Sequence, residues 1–463
     1  MTGLAGLLKQ KGYQVSGSDS GVFEPSASTL KKLKIPYFKS YKAENTKKFK
    51  PDIVVIGNAI SRGNEELEYV LDNGLMYKSM PETIRAEFVQ DKKSIVITGT
   101  NGKTTTASLV SWILHYNKFA PTILVGGLIK NLGSGFSYGK GDYVVLEGDE
   151  YNSCFYDACP KFLHYQPYIG IVNNIEQDHV DIYPTTEDIV KVFRRFVKLI
   201  PKTGLLILNK NNPNSASLSQ NAFSEIKTFG GNGNLTSKNI TANEDGLSFD
   251  VYLDKKKLGK IESSLLGRHN VENILASILA SLKVGLPFPK ISEAIKKFEG
   301  AKRRLEVIYQ NKKIKIIDDF AHNPDKVSAS LSALRSHFLK SRLIAIFEPR
   351  TASSRRKVFQ AKYPDSFKSA DIVYIAEPYN KTALSASELF SSQELVDDLN
   401  KAGTKAYSLP TADKIVAHIK SNFLKPTAPF RSFQRRRVTH PTIFCIMSSG
   451  NFDGIHQKII SLF

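Results

Sequence analysis

Apolar residues fall along this chain in two alternating rhythms: short β-branched runs, and longer stretches with an apolar residue every three or four positions. The first is the pattern of buried strands, the second that of helices with one face in a core. Up to about residue 90, GLAGLLKQKGYQ, STLKKLKI and NEELEYVLDNG have helical spacing, the last ending on Gly74. VSGSD reads as strand and turn, and DIVVIGNAI as a buried strand. From 91 to 298, strands are expected at Ile95-Val96-Ile97 and in DYVVLEGDE, YIGIVNNI and GLLILN. Helices are expected after Lys103, over TEDIVKVFRRFVKLI, and over NVENILASILASLKVG, closed by Gly285. LSFDVYL and KLGKIESSL predict antiparallel strands, and GLPFPK predicts a turn. From 299 to 463 the rhythm returns in KIKIIDDFAH, SASLSALRSHF, RLIAIFEPR, DIVYIAEPY, SSQELVDDLNKAG and TIFCIMSSG.

Alternating strand and helix predicts parallel sheets covered by helices. At 463 residues the chain is too long for one core. The expected architecture is α/β in three domains: a Rossmann-like N-terminal domain over 1–90, a central P-loop ATPase-like domain over 91–298, and a C-terminal Rossmann-like domain over 299–463. A Rossmann-like sheet opens with a strand and a glycine loop. Here Met1-Thr2-Gly3 already stand at the mouth of the first helix, so either the start is truncated or the sheet lacks its first strand.

Hydrophobic residues at 41% and charged residues at 23% are ordinary for a soluble globular protein. No apolar run is long enough to span a membrane, and the N-terminus lacks the basic region of a signal peptide. Cys154, Cys159 and Cys445 have neither the number for a disulfide framework nor the spacing of a zinc site. A reducing, cytoplasmic setting is the simplest. The net charge of +20 comes from scattered lysines, the pattern of a solvated surface, and only RSFQRRR, Arg431 to Arg437, is dense. Neither nucleic acid nor a membrane is expected as a partner. A basic P-loop ATPase that binds nucleic acid is the reading from a different class, and no base-stacking aromatic motif favours it.

The chemistry starts at IVITGTNGKTTT. A strand enters the turn Gly99-Thr100-Asn101-Gly102, and Lys103-Thr104-Thr105 opens a helix. Backbone N–H groups at such a turn and at a helix N-terminus favour anionic oxygens, lysine adds a point charge, and the hydroxyl suits Mg²⁺. Ile97 stands where the usual P-loop pattern has its first glycine. Glu147 closes the strand in VVLEGDE beside Asp149 and Glu150, a place suited to a hard cation. IVNNIEQDHVDIY sets His179 between Asp178 and Asp181 after another strand, a second metal or substrate contact. In GRHNVEN, Asn270 and Asn273 share one helical face, and amides match an adenine edge. An N-cap plus a surface asparagine is the other reading. Arg303 and Arg304 suit phosphate, Asp318 and Asp319 suit ribose hydroxyls, and His322 follows them. Arg350, in FEPR, with Arg355 and Arg356 suits a substrate carboxylate or a solvated surface.

Taken in order, GTNGKTTT, EGDE, NNIEQDHVD, GRHNVEN, AKRRLEV and DDFAHNPD resemble the motifs of the Mur ligase family over nearly the whole chain. The resemblance implies an ATP-dependent amide ligase of peptidoglycan metabolism. It implies that Lys103 and the turn amides hold the ATP phosphates, and that Thr104, Glu147 and His179 serve Mg²⁺. It further implies that Asn270 and Asn273 face adenine, Arg304 the phosphates and Asp319 the ribose, with Lys103, Glu147, His179 and Arg304 as the catalytic set. The strings VIGNAISRGN, DEYNSCFYDACPKFLHYQP and MSSGNFDGIHQK resemble the branch that joins an L-alanyl-γ-D-glutamyl-meso-diaminopimelate tripeptide to UDP-N-acetylmuramate. The alternative within the family is addition of free L-alanine. Relatives that add later residues often carry a carbamylated lysine after the His motif, and counting places Phe193 there. RSFQRRR does not match the family's connection into the last strand.

Overall fold

The computed structural model of the chain describes residues 1–177, 182–351, 354–379, 385, 388–423 and 441–463. It divides into two compact units. Met1–Asn239, Phe249–Glu262 and Val271–Glu299 form the first, and Ile240–Ser248, Ser263–Asn270 and Gly300–Phe463 the second.

The first unit opens with helix α1 (Thr2–Lys11), whose Leu4 and Leu7 are buried. Two small parallel pairs follow, Gly17–Ser18 with Tyr37–Phe38 and Val54–Ile56 with Tyr77–Ser79. DIVVIGNAI thus yields a three-residue strand in which only Ile56 is buried, and that strand has a single neighbour in its sheet. A helix at Ala43–Phe49 was not legible, since AENTKKF has too few apolar residues to show a period.

The sheet that carries the site is built from β1 (Lys93–Thr98), β2 (Thr122–Ile129), β3 (Ser134–Ser137), β4 (Tyr143–Glu147), β5 (Pro167–Val172), β6 (Leu205–Asn209), β7 (Glu225–Phe229), β8 (Leu235–Asn243), β9 (Gly246–Leu253) and β10 (Lys256–Ser263). Their order is β10-β9-β8-β7-β6-β5-β1-β4-β2-β3. Strand β1 is parallel to both β5 and β4. Its two neighbours both come later in the chain, so the order reverses there, and ligands of open α/β sheets bind outside the strand ends at such a point. Two-residue connections join β8 to β9 and β9 to β10, which permits only antiparallel pairing.

Helices α2 (Lys103–Tyr116), α3 (Thr186–Lys198), α4 (His269–Lys283) and α5 (Phe288–Lys296) complete the central part. Val96, Leu146, Phe162, Phe193, Phe196 and Val197 pack in one buried cluster. The expected turn GLPFPK is instead the entry to α5, which starts at Phe288. A proline in the first helical turn gives up no intrahelical bond, so it does not stop the helix.

The second unit holds β11 (Glu306–Gln310), β12 (Ile314–Asp319), β13 (Arg342–Phe347), β14 (Ile372–Ile375), β15 (Lys405–Ser408) and β16 (Thr442–Met447), in the order β11-β12-β16-β13-β14-β15. All neighbours are parallel except the edge pair β11–β12. Helix α6 (Pro324–His337) lies in this unit. His337 is buried, its Nε2 accepts from the Gly267 N–H at 2.8 Å, and its Nδ1 lies 2.5 Å from the Asn243 carbonyl. Those two contacts define a neutral ring with its proton on Nδ1. Burial first, and then Lys315, hold its pKa below the ordinary value, against the Asn243 contact.

Candidate active site

Strand β1 delivers the phosphate cradle at its C-terminal end. Gly102 stands before α2 with φ +80°, and a Cβ there would lie 2.4 Å from Asn273 Oδ1 and 2.9 Å from Asn173 Nδ2. Only glycine meets both demands. The turn is tied down by residues that follow β5. The Thr100 N–H donates to the Asn174 carbonyl at 2.9 Å, and the Asn101 N–H to Asn174 Oδ1 at 2.7 Å. Asn101 Nδ2 donates to Glu176 Oε2 at 2.8 Å. Two of the turn amides expected to face phosphate are therefore bonded to Asn174, and the anion-facing donors narrow to the N-terminus of α2, whose first N–H groups have no intrahelical acceptor. Thr105 is buried in the same first turn of α2.

Lys103 is nearly buried and bonded on all sides. Its Nζ donates to the Gly99 carbonyl at 2.7 Å and reaches Glu150 Oε1 and Oε2 at 3.0 and 2.8 Å. Burial works against its charge, but Glu150, Asp149 and Glu147 outweigh that and raise its pKa. The Thr104 hydroxyl donates to Glu147 Oε1 at 2.8 Å, and the Gly126 N–H to Glu147 Oε2 at 2.6 Å. Burial, with Asp149 beside it, pushes the Glu147 carboxyl up, against those two bonds and Lys103. A carboxylate in that condition gains from an added cation. Thr104 and Glu147 together offer hard oxygen donors that fit Mg²⁺. No group of three or more His, Cys, Asp or Glu gathers among the described residues.

The sequence-predicted residues divide between the two units. Gly99 to Thr105, Glu147 and Asn273 meet in the first. Asn273 Oδ1 accepts from Thr106 Oγ1 at 3.1 Å, so it braces α2 against α4. His179, with Asp178 and Asp181, lies outside the described residues. Phe193 is 1% exposed, with its ring centroid 5.3 Å from that of Phe162. Glu150, Asn173, Asn174 and Glu176 carry much of the cradle without having been singled out as site residues. Their signal was their place directly after β4 and β5, within the EGDE and NNIEQDHVD motifs. DEYNSCFYDACPKFLHYQP contains an antiparallel hairpin, Asn152–Cys154 with Asp157–Pro160, and Tyr156 Oη donates to Glu82 Oε2 at 2.6 Å.

In the second unit Asn270 Nδ2 donates to the Leu266 carbonyl at 2.7 Å. Arg304 lies over the Phe320 ring at 5.0 Å. The Arg303 guanidinium donates to the carbonyls of Ser448 and Gly450 and lies 3.6 Å from Asp318. Asp319 is buried and accepts from the Leu305 and Ala321 N–H groups and from Ser330 Oγ, at 2.7, 2.9 and 2.9 Å. Burial pushes its carboxyl up, against those donors and Arg304. His322 Nδ1 lies 2.8 Å from the Phe320 carbonyl. Arg350 lies 3.3 Å from Glu348 and stacks 3.8 Å from the Tyr379 ring centroid, and Arg355 donates to the Tyr379 carbonyl at 3.2 Å. Gly450 leaves room for Arg350, whose Nε would lie 2.0 Å from a Cβ there. Glu348 and Tyr379 line a cavity of about 300 Å³ with Glu377 and Asp453. No helix among the described residues is long and apolar enough to cross a membrane.

Three family models match the chain: the catalytic domain of the Mur ligase family over 1–91, the Mur ligase middle domain over 97–281, and the Mur ligase glutamate ligase domain over 303–426. The UDP-N-acetylmuramate–L-alanyl-γ-D-glutamyl-meso-2,6-diaminoheptandioate ligase of Haemophilus influenzae is 32% identical, over 99% of this chain and 96% of its own length. That of Escherichia coli is 35% identical, over 99% of this chain and 95% of its own length. The UDP-N-acetylmuramate–L-alanine ligase of Clostridium acetobutylicum is 35% identical, over 91% of this chain and 90% of its own length. Among solved structures, a murein peptide ligase from Psychrobacter arcticus aligns with TM-score 0.71 and 28% identity, over 100% of this chain and 96% of that one. The UDP-N-acetylmuramate–alanine ligase of Thermotoga maritima aligns with TM-score 0.81 at 22% identity, over 100% of this chain and 96% of that one, a likeness of fold alone.

Proposed function

This chain belongs to the Mur ligase family, and from that premise we propose that it is the ATP-dependent ligase that joins L-alanyl-γ-D-glutamyl-meso-diaminopimelate to UDP-N-acetylmuramate. The observation that carries the reading is the cradle at the end of β1, with Lys103 and α2 on one side and the Thr104–Glu147 pair beside them, in a chain matched over 99% of its length by the two tripeptide ligases. The chemistry that ATP supplies when bound is activation of the muramate carboxylate as an acyl phosphate; the peptide amine then forms the amide bond at its acyl carbon, and inorganic phosphate leaves.

The chain's own residues prepare that chemistry. Lys103 and the N-terminus of α2 concentrate positive potential where phosphoryl oxygens gather charge. Thr104 and Glu147 would hold Mg²⁺, which neutralises phosphate charge when bound. His179 is proposed with them. Asn173 and Asn273 crowd Gly102 and hold the turn in one shape, so the donors are aimed before substrate arrives. Asn270, Asn273, Arg304, Asp319 and His322 are proposed as nucleotide contacts, with Arg304 also catalytic. Arg350 and Arg355 are proposed as contacts for a peptide carboxylate. The FYDACPKFLHY segment is proposed to favour the tripeptide over free L-alanine.

The test is a ligation assay with UDP-N-acetylmuramate and ATP, offering tripeptide and L-alanine in parallel. UDP-N-acetylmuramoyl-tripeptide is the expected product. Preferred ligation of free L-alanine would assign the sibling activity, a second reading favoured by the 35% identity to the Clostridium acetobutylicum enzyme.

A further inference from the structure

Lys103 presents a counting problem. An ammonium has three N–H donors and no acceptor. In this chain those donors meet the Gly99 carbonyl at 2.7 Å and the two Glu150 oxygens at 3.0 and 2.8 Å, with the Thr100 carbonyl at 3.5 Å as a distant fourth. Nothing remains for a phosphate oxygen. The Gly99 carbonyl belongs to the turn itself, four residues before the lysine, and Asn174 pins the turn through the Thr100 and Asn101 N–H groups. The movable partner is the Glu150 side chain.

We propose that Glu150 is the resident counter-ion of Lys103, and that an incoming nucleotide phosphate displaces its carboxylate from the ammonium. The inference rests on the ATP-binding reading above. Glu150 thereby sets how tightly phosphate-bearing ligands bind, and it keeps Lys103 oriented while the cradle is empty. The exchange conserves charge: one anionic oxygen partner replaces another, and no bond is made or broken covalently. Both side chains are almost buried, 12% and 6% exposed, so the pair is weakly screened and the exchange weighs on affinity. After the exchange the Glu150 carboxylate faces the same acidic turn as Glu147 and Asp149, which disfavours its release. Glu150 is therefore a competitor for the lysine as well as its holder.

The test measures binding to the full chain by calorimetry, in EDTA so that metal ligands play no part, with ATP, ADP and adenosine as probes. Glu150→Gln keeps the shape and one accepting oxygen but removes the competing charge. It is expected to bind metal-free ATP and ADP at least about tenfold more tightly than the parent, with adenosine unchanged. Glu150→Asp draws the carboxylate back from Nζ and is expected to fall between the two. It also stands in if Glu150→Gln does not fold, as judged by circular dichroism and thermal melting. Equal or weaker ATP binding by a folded variant would overturn the proposal, as would an equal gain for adenosine. Absence of ATP binding by the parent protein itself would instead sink the ATP-binding reading.

Discussion

Asn273 Oδ1 accepts from Thr106 Oγ1 at 3.1 Å, across 167 positions of sequence, and it also occupies the space where a Cβ on Gly102 would lie. One side chain of α4 therefore both braces α2 and enforces glycine at the mouth of the cradle. Local sequence supplies the turn, and a distant helix makes it obligatory.

Gly102→Ala tests that relation. The new methyl meets Asn273 Oδ1 at 2.4 Å, at a φ of +80° that L-residues rarely adopt. The expected result is a loss of stability of at least about 1 kcal/mol, from the backbone conformation alone. ATP-dependent turnover should fall by about 100-fold, because the donors lose their aim. Urea unfolding and phosphate release measure the two effects separately. Unchanged turnover would show that the turn tolerates reshaping.

Lys103→Ala should abolish ligation and also weaken the fold. Removing the lysine strands Glu150, which is 6% exposed, without its cation, and breaking one side of a buried pair costs about 3–5 kcal/mol. The double variant Lys103→Met with Glu150→Gln should recover most of that stability and none of the activity. A double-mutant cycle from urea unfolding reads the coupling. Purely additive losses would mean that the pair contributes nothing to stability.

Glu147→Gln keeps one accepting oxygen for the Gly126 N–H, turns an amide NH₂ toward the Thr104 hydroxyl, which can accept from it, and removes the charge. Ligation should then need about 10- to 100-fold more Mg²⁺ for half-maximal rate. A magnesium titration that overlays the parent curve would remove Glu147 from the metal site.

His337 makes stability depend on pH in a defined direction. Its pKa in the folded chain lies below the ordinary value of 6.5. The neutral ring is the form that accepts from Gly267, so its contribution is complete above the unfolded value and is lost as pH falls through 6.5 toward the lower folded value. His337→Gln keeps an acceptor and a donor but does not titrate. Between about pH 7.5 and about pH 5 the parent should lose more stability than this variant in urea unfolding. Parallel losses would show that His337 does not drive the acid sensitivity.

Several elements were legible because their determinants are local. IVITGTNGKTTT encodes a strand, a turn and a helix start within twelve residues, through β-branched side chains, two glycines and a helix N-terminus. TEDIVKVFRRFVKLI announces α3 by its spacing, and in the structure the Thr185 side chain just before it accepts from the Asp188 N–H. The helix at Ala43–Phe49 and the entry to α5 were not legible, one for want of an apolar period and the other because its proline reads as a breaker. Of the neighbouring arginines, nothing in AKRRLEV tells that both lie over the Phe320 ring and that Arg303 also caps the Ser448 and Gly450 carbonyls.

By itself, the sequence determined the α/β rhythm, the phosphate turn and the ordered motifs of the Mur ligase family, because periodicity, glycine and capping act over a few bonds. Tertiary structure alone decided that Lys103 is held by Glu150, that Asn174 takes the Thr100 and Asn101 amides, and that Asn273 closes on Gly102. Those choices depend on which strand ends lie side by side at the reversal of the sheet. That adjacency is set by burying whole strands and helices together, so no run of neighbouring residues encodes it.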